Sequence, residues 1–165
     1  MSGKGKGKKK VDRTPVIENR RARYGYFLEE PLEVGLGLVG PEVKSIRAGR
    51  ASLKEGYVRV QAENPPSLWL HSVHIGEYDH AAKAFQHNPV RTRLLLASKR
   101  EIAELAKKTE VRGVTLVPLK LYFKGPYAKL QVGLARGKKQ QDKRQTIKER
   151  DAKRDSDRAM TRKVL

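Results

Sequence analysis

Apolar and polar residues alternate along two neighbouring stretches in the last third of the chain, and a period of two is typical of half-buried β-strands. In Tyr127–Arg136 the even-numbered positions from Ala128 to Leu134 are all apolar. Val114–Lys124 shows a similar alternation, and Gly125-Pro126 between the two stretches predicts a turn. The pattern therefore predicts a β-hairpin, and the inner face of its first strand is expected to carry Val117, Leu119, Leu121 and Phe123.

Three earlier stretches also predict strands, namely Tyr26–Leu38, Tyr57–Ala62 and Ser67–Ile75. Pro31 and two nearby glycines predict a break or bulge in the first of them. The only tryptophan, Trp69, lies in the third stretch, where core packing and base stacking are both open. Many short strands separated by turn signals predict a mainly β domain, either a barrel or a sandwich.

Two segments carry the start and stop signals of helices. Pro41 suits the first helical turn and Gly49 suits the left-handed residue that ends a helix, so a two-turn helix is predicted between them. Ser98 and Glu101 have the spacing of a capping box, which predicts a second helix running to about Lys108. Both helices are expected to flank or plug the β domain.

Positive charge is concentrated at the two ends of a chain whose net charge is +19. Residues 1–14 contain six Lys or Arg and one Asp, and residues 137–165 contain eleven against five Asp or Glu. Neither segment has enough apolar residues for a core. We therefore predict a disordered basic arm over 1–14, a β domain over 15–136, and a basic tail over 137–165 that is disordered alone and helical along phosphate. For the arm, a role in solubility alone is the alternative.

Several functional classes find no support in the sequence. There is no run of eighteen apolar residues, no signal-peptide pattern and no cysteine. Nucleophile elbows, phosphate-binding loops and metal-spaced histidine sets are missing as well. The expectation is a cytoplasmic polyanion binder without catalytic activity, cofactor, metal or membrane partner, and nucleic acid is the favoured polyanion.

Basic and aromatic residues are interleaved at two places, as RNA-binding surfaces require, because cations meet phosphates while rings stack on bases. One place is the segment before the first strand, where Asn19 is followed by Arg21, Arg23 and Tyr24. Glu33 is a candidate acceptor for base or sugar donors, or a solvent-facing residue. One leucine of Leu94–Leu96 is a candidate contact to a partner, although core packing is the default. The second place is the outer face of the hairpin, with Lys120, Tyr122, Lys124, Tyr127 and Lys129, for which a merely solvated face is the alternative.

Taken together, these motifs resemble the SsrA-binding proteins (small protein B) of bacteria, and the resemblance runs from about Ile17 to Arg150. The segments that carry it are Asn19-Arg20-Arg21-Ala22-Arg23, Glu33-Val34-Gly35, Gly40–Gly49, Arg91–Leu96, Tyr127-Ala128-Lys129 and Gly133–Lys139.

The resemblance implies a six-stranded antiparallel barrel of the oligonucleotide-binding type, with two or three peripheral helices and a basic C-terminal tail. It implies a monomeric adaptor that binds the tRNA-like domain of transfer-messenger RNA and brings it to stalled ribosomes for trans-translation. The tail would lie in the empty message channel at the decoding centre of small-subunit RNA, and alanyl-tRNA synthetase would act on the bound RNA. A ribosomal protein or a general RNA chaperone is the alternative.

The resemblance also implies roles for individual residues. The RNA contacts are expected at Asn19, Arg21, Glu33, Leu96 and Lys129. The tail residues expected at the decoding region are Gly137, Lys138, Lys139, Asp142, Lys143, Arg144, Lys148 and Arg150. The chain departs from the family at Gln141, where an aromatic residue or His is usual, and at Ala152, where Trp is common. The resemblance therefore does not carry ring stacking over to this tail.

Overall fold

The computed structural model describes residues 14–81 and 86–162, and the predicted arm lies outside these ranges except for Thr14. The elements are β1 (Ile17–Glu18), α1 (Arg20–Gly25), β2 (Tyr26–Leu28), β3 (Leu32–Leu36), α2 (Gly40–Arg47), β4 (Ala51–Ser52), β5 (Tyr57–Gln61), β6 (Ser67–His71), β7 (His74–Ile75), β8 (Arg93–Leu96), α3 (Lys99–Thr109), β9 (Val114–Lys124), β10 (Tyr127–Gly137) and α4 (Gln140–Arg162). None of the helices in the described ranges has the length and apolar character needed to cross a bilayer.

Six antiparallel strands form a closed barrel in the order β9-β5-β6-β8-β3-β10, and the pairing of β10 with β9 closes it. The short strands β1 and β2 extend the outer edges of β9 and β10, while β4 and β7 form a separate pair. The predicted six-stranded barrel is confirmed. Closure removes the open sheet edges that would otherwise pair with other chains.

Both predicted helices are present and pack their apolar faces into the barrel core. Ile46 of α2 and Ile102 and Leu105 of α3 are buried in the same cluster as the inward residues of the strands. Helix α3 begins with the predicted capping box, in which Glu101 accepts a hydrogen bond from the Ser98 N–H at 2.8 Å. Helix α2 is followed by Gly49, whose φ of 78° is the left-handed conformation that glycine adopts without strain.

The inner-face prediction for β9 is right for Leu121 and Phe123 and wrong for the other two residues. Val117 and Leu119 pack outside the main core, in a small cluster with Ala22 of α1 and Ala135 of β10. The cause is a β-bulge, since Gln131 pairs with Lys120 whereas Val132 pairs with Pro118. One extra residue on a strand reverses the facing of every position beyond it. Alternation alone does not reveal such an insertion.

Helix α4 follows the barrel directly and covers nearly all of the predicted tail. Residues 151–156 are exposed along one stretch of it, and their composition is polar apart from one alanine. The described side chains of α4 contribute nothing to the barrel core. The expectation that this segment is disordered in the absence of RNA stays a prediction.

Candidate RNA-binding surface

The register of the barrel brings residues from four strands into one row on its outer surface. The row consists of Leu96, Gly35, Lys129 and Tyr122, contributed by β8, β3, β10 and β9. In the next row, Glu33 is paired with Gln131 and Gln131 with Lys120. Residues up to 98 positions apart in the chain, such as Glu33 and Gln131, therefore form one continuous surface, which we call the barrel face.

A carboxylate surrounded by cations lies at the middle of the barrel face. The Tyr122 hydroxyl donates a hydrogen bond to Glu33 Oε2. The Nζ atoms of Lys124 and Lys129 lie 3.8 and 3.9 Å from Glu33 Oε1. The bond from Tyr122 and, secondarily, the two ammonium groups hold the pKa of Glu33 below its ordinary value, and the same bond raises the pKa of Tyr122. Glu33 is thus ionised at neutral pH, and the two lysines leave this cluster with a positive charge.

The predicted contact Lys120 lies beside this cluster. Its Nζ atom is 3.6 Å from Glu18 Oε1 on β1, and its side chain is partly exposed. An ion pair of this length near solvent is weak and does not prevent a phosphate from approaching the ammonium group.

Leu96 is the apolar side chain of the barrel face. Leu95 is buried, whereas Leu96 is 58 % exposed and Leu94 is also exposed. A Cβ atom on Gly35 would lie 3.1 Å from the Leu96 Cβ atom, so the glycine leaves the space that this leucine needs. The expectation that one leucine of this segment is available to a partner therefore has a structural basis in Leu96.

Helix α1 carries three further candidates, which are exposed. Arg21, Arg23 and Tyr24 project from the single turn and a half that precedes β2. Arg21 Nη1 lies 2.6 Å from Glu55 Oε1, and both side chains are largely exposed. With Arg20, which is also exposed, helix α1 therefore presents three cations and an aromatic ring beside the barrel.

Asn19, by contrast, is in the protein interior and only 4 % exposed. Its Oδ1 accepts from the Ala22 N–H at 3.1 Å, which caps α1. Its Nδ2 donates to the Leu53 carbonyl at 2.9 Å and to the Pro118 carbonyl at 3.0 Å. These bonds use the polar atoms of the side chain and give Asn19 a positioning role, while the expected direct RNA contact stays a prediction. Asn19 fixes α1 against the bulge of β9.

Replacing Asn19 by Ala is expected to lower the free energy of unfolding by about 2 to 3 kcal/mol, because the helix loses its cap and two buried carbonyls lose a donor. Urea unfolding followed by circular dichroism measures the change. The exposed Arg21→Ala is the matched control and is expected to stay within about 0.5 kcal/mol. Equal stability of the two variants would contradict the positioning role.

The tail begins next to α1. Gly137 pairs with Tyr26, and the Lys138 N–H donates to the Gly25 carbonyl at 3.0 Å. The Lys138 ammonium group lies 5.0 Å from the centre of the Phe27 ring. A groove of about 580 Å³ lies at this junction, and its lining includes Asn19, Arg21, Tyr24, Gly137 and Lys138. Candidate contacts from the β domain and from the start of the tail thus line one groove.

The remaining tail candidates lie further out. Asp142 Oδ2 accepts from the Lys139 N–H at 3.1 Å, which satisfies a backbone donor at the start of α4. Arg144 and Lys148 are exposed, and Lys143 and Arg150 lie in the same helix. Of these four, Arg144 and Lys148 have described side chains, and both lie outside the barrel face.

Gln131 and the hydrogen bond between Tyr122 and Glu33 were not among the sequence-based expectations, although Tyr122 itself was expected on the outer face of the hairpin. The alternation of the hairpin places Tyr122 outward, but its bond to Glu33 joins residues 89 positions apart. Only the pairing of β10 with both β9 and β3 brings them together. A strand order derived from the sequence would have been needed to find this contact.

Carboxylates are grouped on a different part of the barrel. Glu29, Glu30, Glu101 and Glu104 line a groove between α3 and the turn that joins β2 to β3. Such a surface repels phosphate, so the RNA is expected on the barrel face and α1. Within the described ranges, no group of three or more His, Asp or Glu side chains is arranged to hold a metal ion.

Comparisons with known proteins agree with one another. The sequence profile of the family described as "SmpB protein" matches residues 16–162. An SsrA-binding protein of Roseiflexus castenholzii is 50 % identical over 145 residues, which cover 88 % of this chain and 90 % of that protein. An SsrA-binding protein of Lactobacillus helveticus is 46 % identical over 148 residues, covering 90 % of this chain and 95 % of the relative.

A solved structure described as "tmRNA-SmpB: a journey to the center of the bacterial ribosome" contains a chain of the same fold. The TM-score is 0.63 at 45 % identity, with 76 % of this chain and 86 % of that chain covered. The family profile spans nearly the whole described chain, and the relatives match over nearly their full length. This chain belongs to the SmpB protein family.

Proposed function

We propose that the chain is an RNA-binding adaptor that binds the tRNA-like domain of transfer-messenger RNA and delivers it to stalled ribosomes for trans-translation. The observation that carries the proposal is the barrel face, where Glu33, Lys129 and Leu96 meet although they are far apart in sequence. Relatives named SsrA-binding proteins and the tmRNA-SmpB structure support the choice of RNA.

The barrel face has the chemistry for a folded RNA. The Lys124 and Lys129 ammonium groups bind phosphates, and Leu96 covers an apolar part of a sugar or base. Arg21, Arg23 and Tyr24 on α1 extend the contact area beside the barrel. Recognition is by shape and backbone contacts, and the protein delivers the RNA without catalysing a reaction itself.

The tail is assigned a second role within the same proposal. Its cationic residues follow the phosphates of small-subunit RNA at the decoding centre and in the message channel, which is free when a message is broken. We propose that residues 137–165 become ordered there and so report the vacant channel, while residues 15–136 hold the RNA. The adaptor works as a monomer in the cytoplasm.

Glu33→Ala and Lys129→Ala are each expected to weaken binding of the tRNA-like domain by about tenfold, the effect of losing one hydrogen bond to a charged group. A gel-shift titration with purified chain and synthetic RNA measures the affinity. Glu63→Ala and Lys107→Ala, which remove exposed charges of the same signs elsewhere, are the controls and should bind like the unaltered chain.

Unchanged affinity of both barrel-face variants would contradict the proposed surface. Equally tight binding of unrelated structured RNAs by the unaltered chain would favour a general RNA chaperone instead. Stoichiometric presence in purified ribosomes would favour a ribosomal protein.

A further inference from the structure

The two oxygens of Glu33 have different surroundings. Oε2 accepts the hydrogen bond from the Tyr122 hydroxyl. Oε1 has the Nζ atoms of Lys124 and Lys129 at 3.8 and 3.9 Å, which is beyond direct hydrogen-bond distance. The Glu33 side chain is 37 % exposed, so Oε1 remains available to a hydrogen-bond donor that arrives from outside.

The group that binds Oε1 must be a donor placed between two anions. A carboxylate only accepts hydrogen bonds, so a phosphate cannot be its partner. The two ammonium groups 3.8 and 3.9 Å from the same oxygen, however, suit phosphates. Along an RNA strand, each ribose 2′-hydroxyl is flanked by the phosphates that precede and follow its sugar. The RNA thus offers two phosphates with a hydroxyl donor between them, and the protein offers two ammonium groups and the Glu33 acceptor, so the two sets of groups can pair.

We propose that Glu33 accepts a hydrogen bond from one ribose 2′-hydroxyl of the bound RNA, while Lys124 and Lys129 bind the phosphates on either side of that ribose. The inference rests on the proposed RNA-binding function and names the group that the barrel face recognises. Since DNA lacks this hydroxyl, the site distinguishes RNA from DNA.

Tyr122 is the positioning residue for this contact. Without its hydroxyl, the Glu33 carboxylate would turn toward a lysine and form a direct ion pair that occupies Oε1. With Oε2 fixed, Oε1 keeps its direction, and the lysines remain free for phosphates. Gly35 lies between Lys129 and Leu96 in the same row, and its lack of a side chain leaves the space that Leu96 occupies beside this site.

The test uses the full chain and a synthetic tRNA-like domain RNA in which single nucleotides carry 2′-deoxyribose. Fluorescence anisotropy gives the dissociation constant for the unaltered chain, Glu33→Ala and Tyr122→Phe. Tyr78→Phe, which removes the hydroxyl of a partly buried tyrosine in the loop after β7, is the control. Thermal unfolding of each variant verifies that it is folded.

For the unaltered chain, one deoxy position is expected to weaken binding about tenfold. Tyr122→Phe is expected to weaken binding of the all-ribose RNA about three- to tenfold, and the deoxy effect at that one position should largely disappear. At every other nucleotide, the fold-losses in affinity caused by Tyr122→Phe and by the deoxy substitution should multiply. A merely structural tyrosine would not single out one nucleotide.

Tight binding with no sensitive deoxy position would overturn the inference and leave the proposed function intact. Sensitivity to the removal of one base amino group instead would overturn the assignment of the 2′-hydroxyl. Failure of the unaltered chain to bind the unmodified RNA would overturn both.

Discussion

Removal of residues 140–165 is expected to abolish tagging on stalled ribosomes while the affinity for the tRNA-like domain stays within about twofold. The barrel face lies on β3, β8, β9 and β10, none of which is touched by this cut. The cut is placed after Lys139 because Gly137 pairs with Tyr26 and Lys138 bonds to Gly25. Both contacts stabilise the region of α1.

Two measurements are needed, a gel shift with the tRNA-like domain and a tagging assay with ribosomes stalled on a message without a stop codon. The gel shift is made at about 0.15 M salt, where non-specific attraction by the tail charges is screened. A chain with the sequence of 140–165 shuffled is the control for charge alone, and it should also fail to support tagging.

A second truncation, after Arg136, tests the root of the tail. It removes the partner of Tyr26 and the donor to Gly25, and we therefore expect weaker RNA binding than for the chain that ends at Lys139. Tagging by the chain without 140–165, or a tenfold loss of its RNA affinity, would refute the division of roles between barrel and tail.

The barrel was predictable because its signals are local. Alternation over Tyr127–Arg136 and the capping box at Ser98 depend only on neighbours within a few residues, and both are present in the structure. The facing of Val117 and Leu119 was not predictable, because the bulge that reverses it is defined by the pairing of β9 with β10. The alternation within a strand predicts that the strand forms, but only its pairing with a distant strand determines which side chains face the core.

The candidate site shows the same limit. Residue type and the family resemblance identified Glu33 and Lys129, which the barrel brings together. The same reasoning assigned Asn19 to the RNA, although an asparagine before a helix is also a common cap. Its burial depends on Leu53 and Pro118, which lie 34 and 99 positions away. Partners at such separations become visible only in the folded chain.

A buried ion network joins α2 to the strand that carries Leu96. Glu42 and Arg93 are both fully buried, and Arg93 Nε lies 2.8 Å from Glu42 Oε1. Arg91 Nη2 donates to Glu42 Oε2 at 2.5 Å. Arg93 also donates to the carbonyls of Val73 and Pro89 at 2.8 and 3.0 Å, so it fixes the loop that precedes β8.

Glu42→Ala is expected to lower the free energy of unfolding by about 3 to 5 kcal/mol, because it leaves the buried Arg93 charge without its partner. Urea unfolding at pH 7 measures the loss. Glu55→Ala, which breaks an exposed ion pair with Arg21, is the control and should cost at most about 1 kcal/mol. Since β8 carries Leu96, we also expect Glu42→Ala to weaken RNA binding.

The pH dependence of the stability tests whether the charge of Glu42 causes the expected loss. Burial alone would raise the pKa of Glu42, but bonds from Arg91 and the Val39 N–H, together with Arg93, hold the pKa below its ordinary value of 4.5. Because the pKa of Glu42 is lowered in the folded chain, the ionised carboxylate stabilises the fold fully above about pH 4.5. This stabilisation is lost as the pH falls through the pKa of Glu42 in the folded chain. The stability difference between the unaltered chain and Glu42→Gln should therefore narrow on acidification. Two outcomes would show that the network does not hold β8 in place. One is a stability difference between the unaltered chain and Glu42→Gln that is constant down to pH 3. The other is a loss of stability in Glu42→Ala at pH 7 that is no larger than the loss in Glu55→Ala.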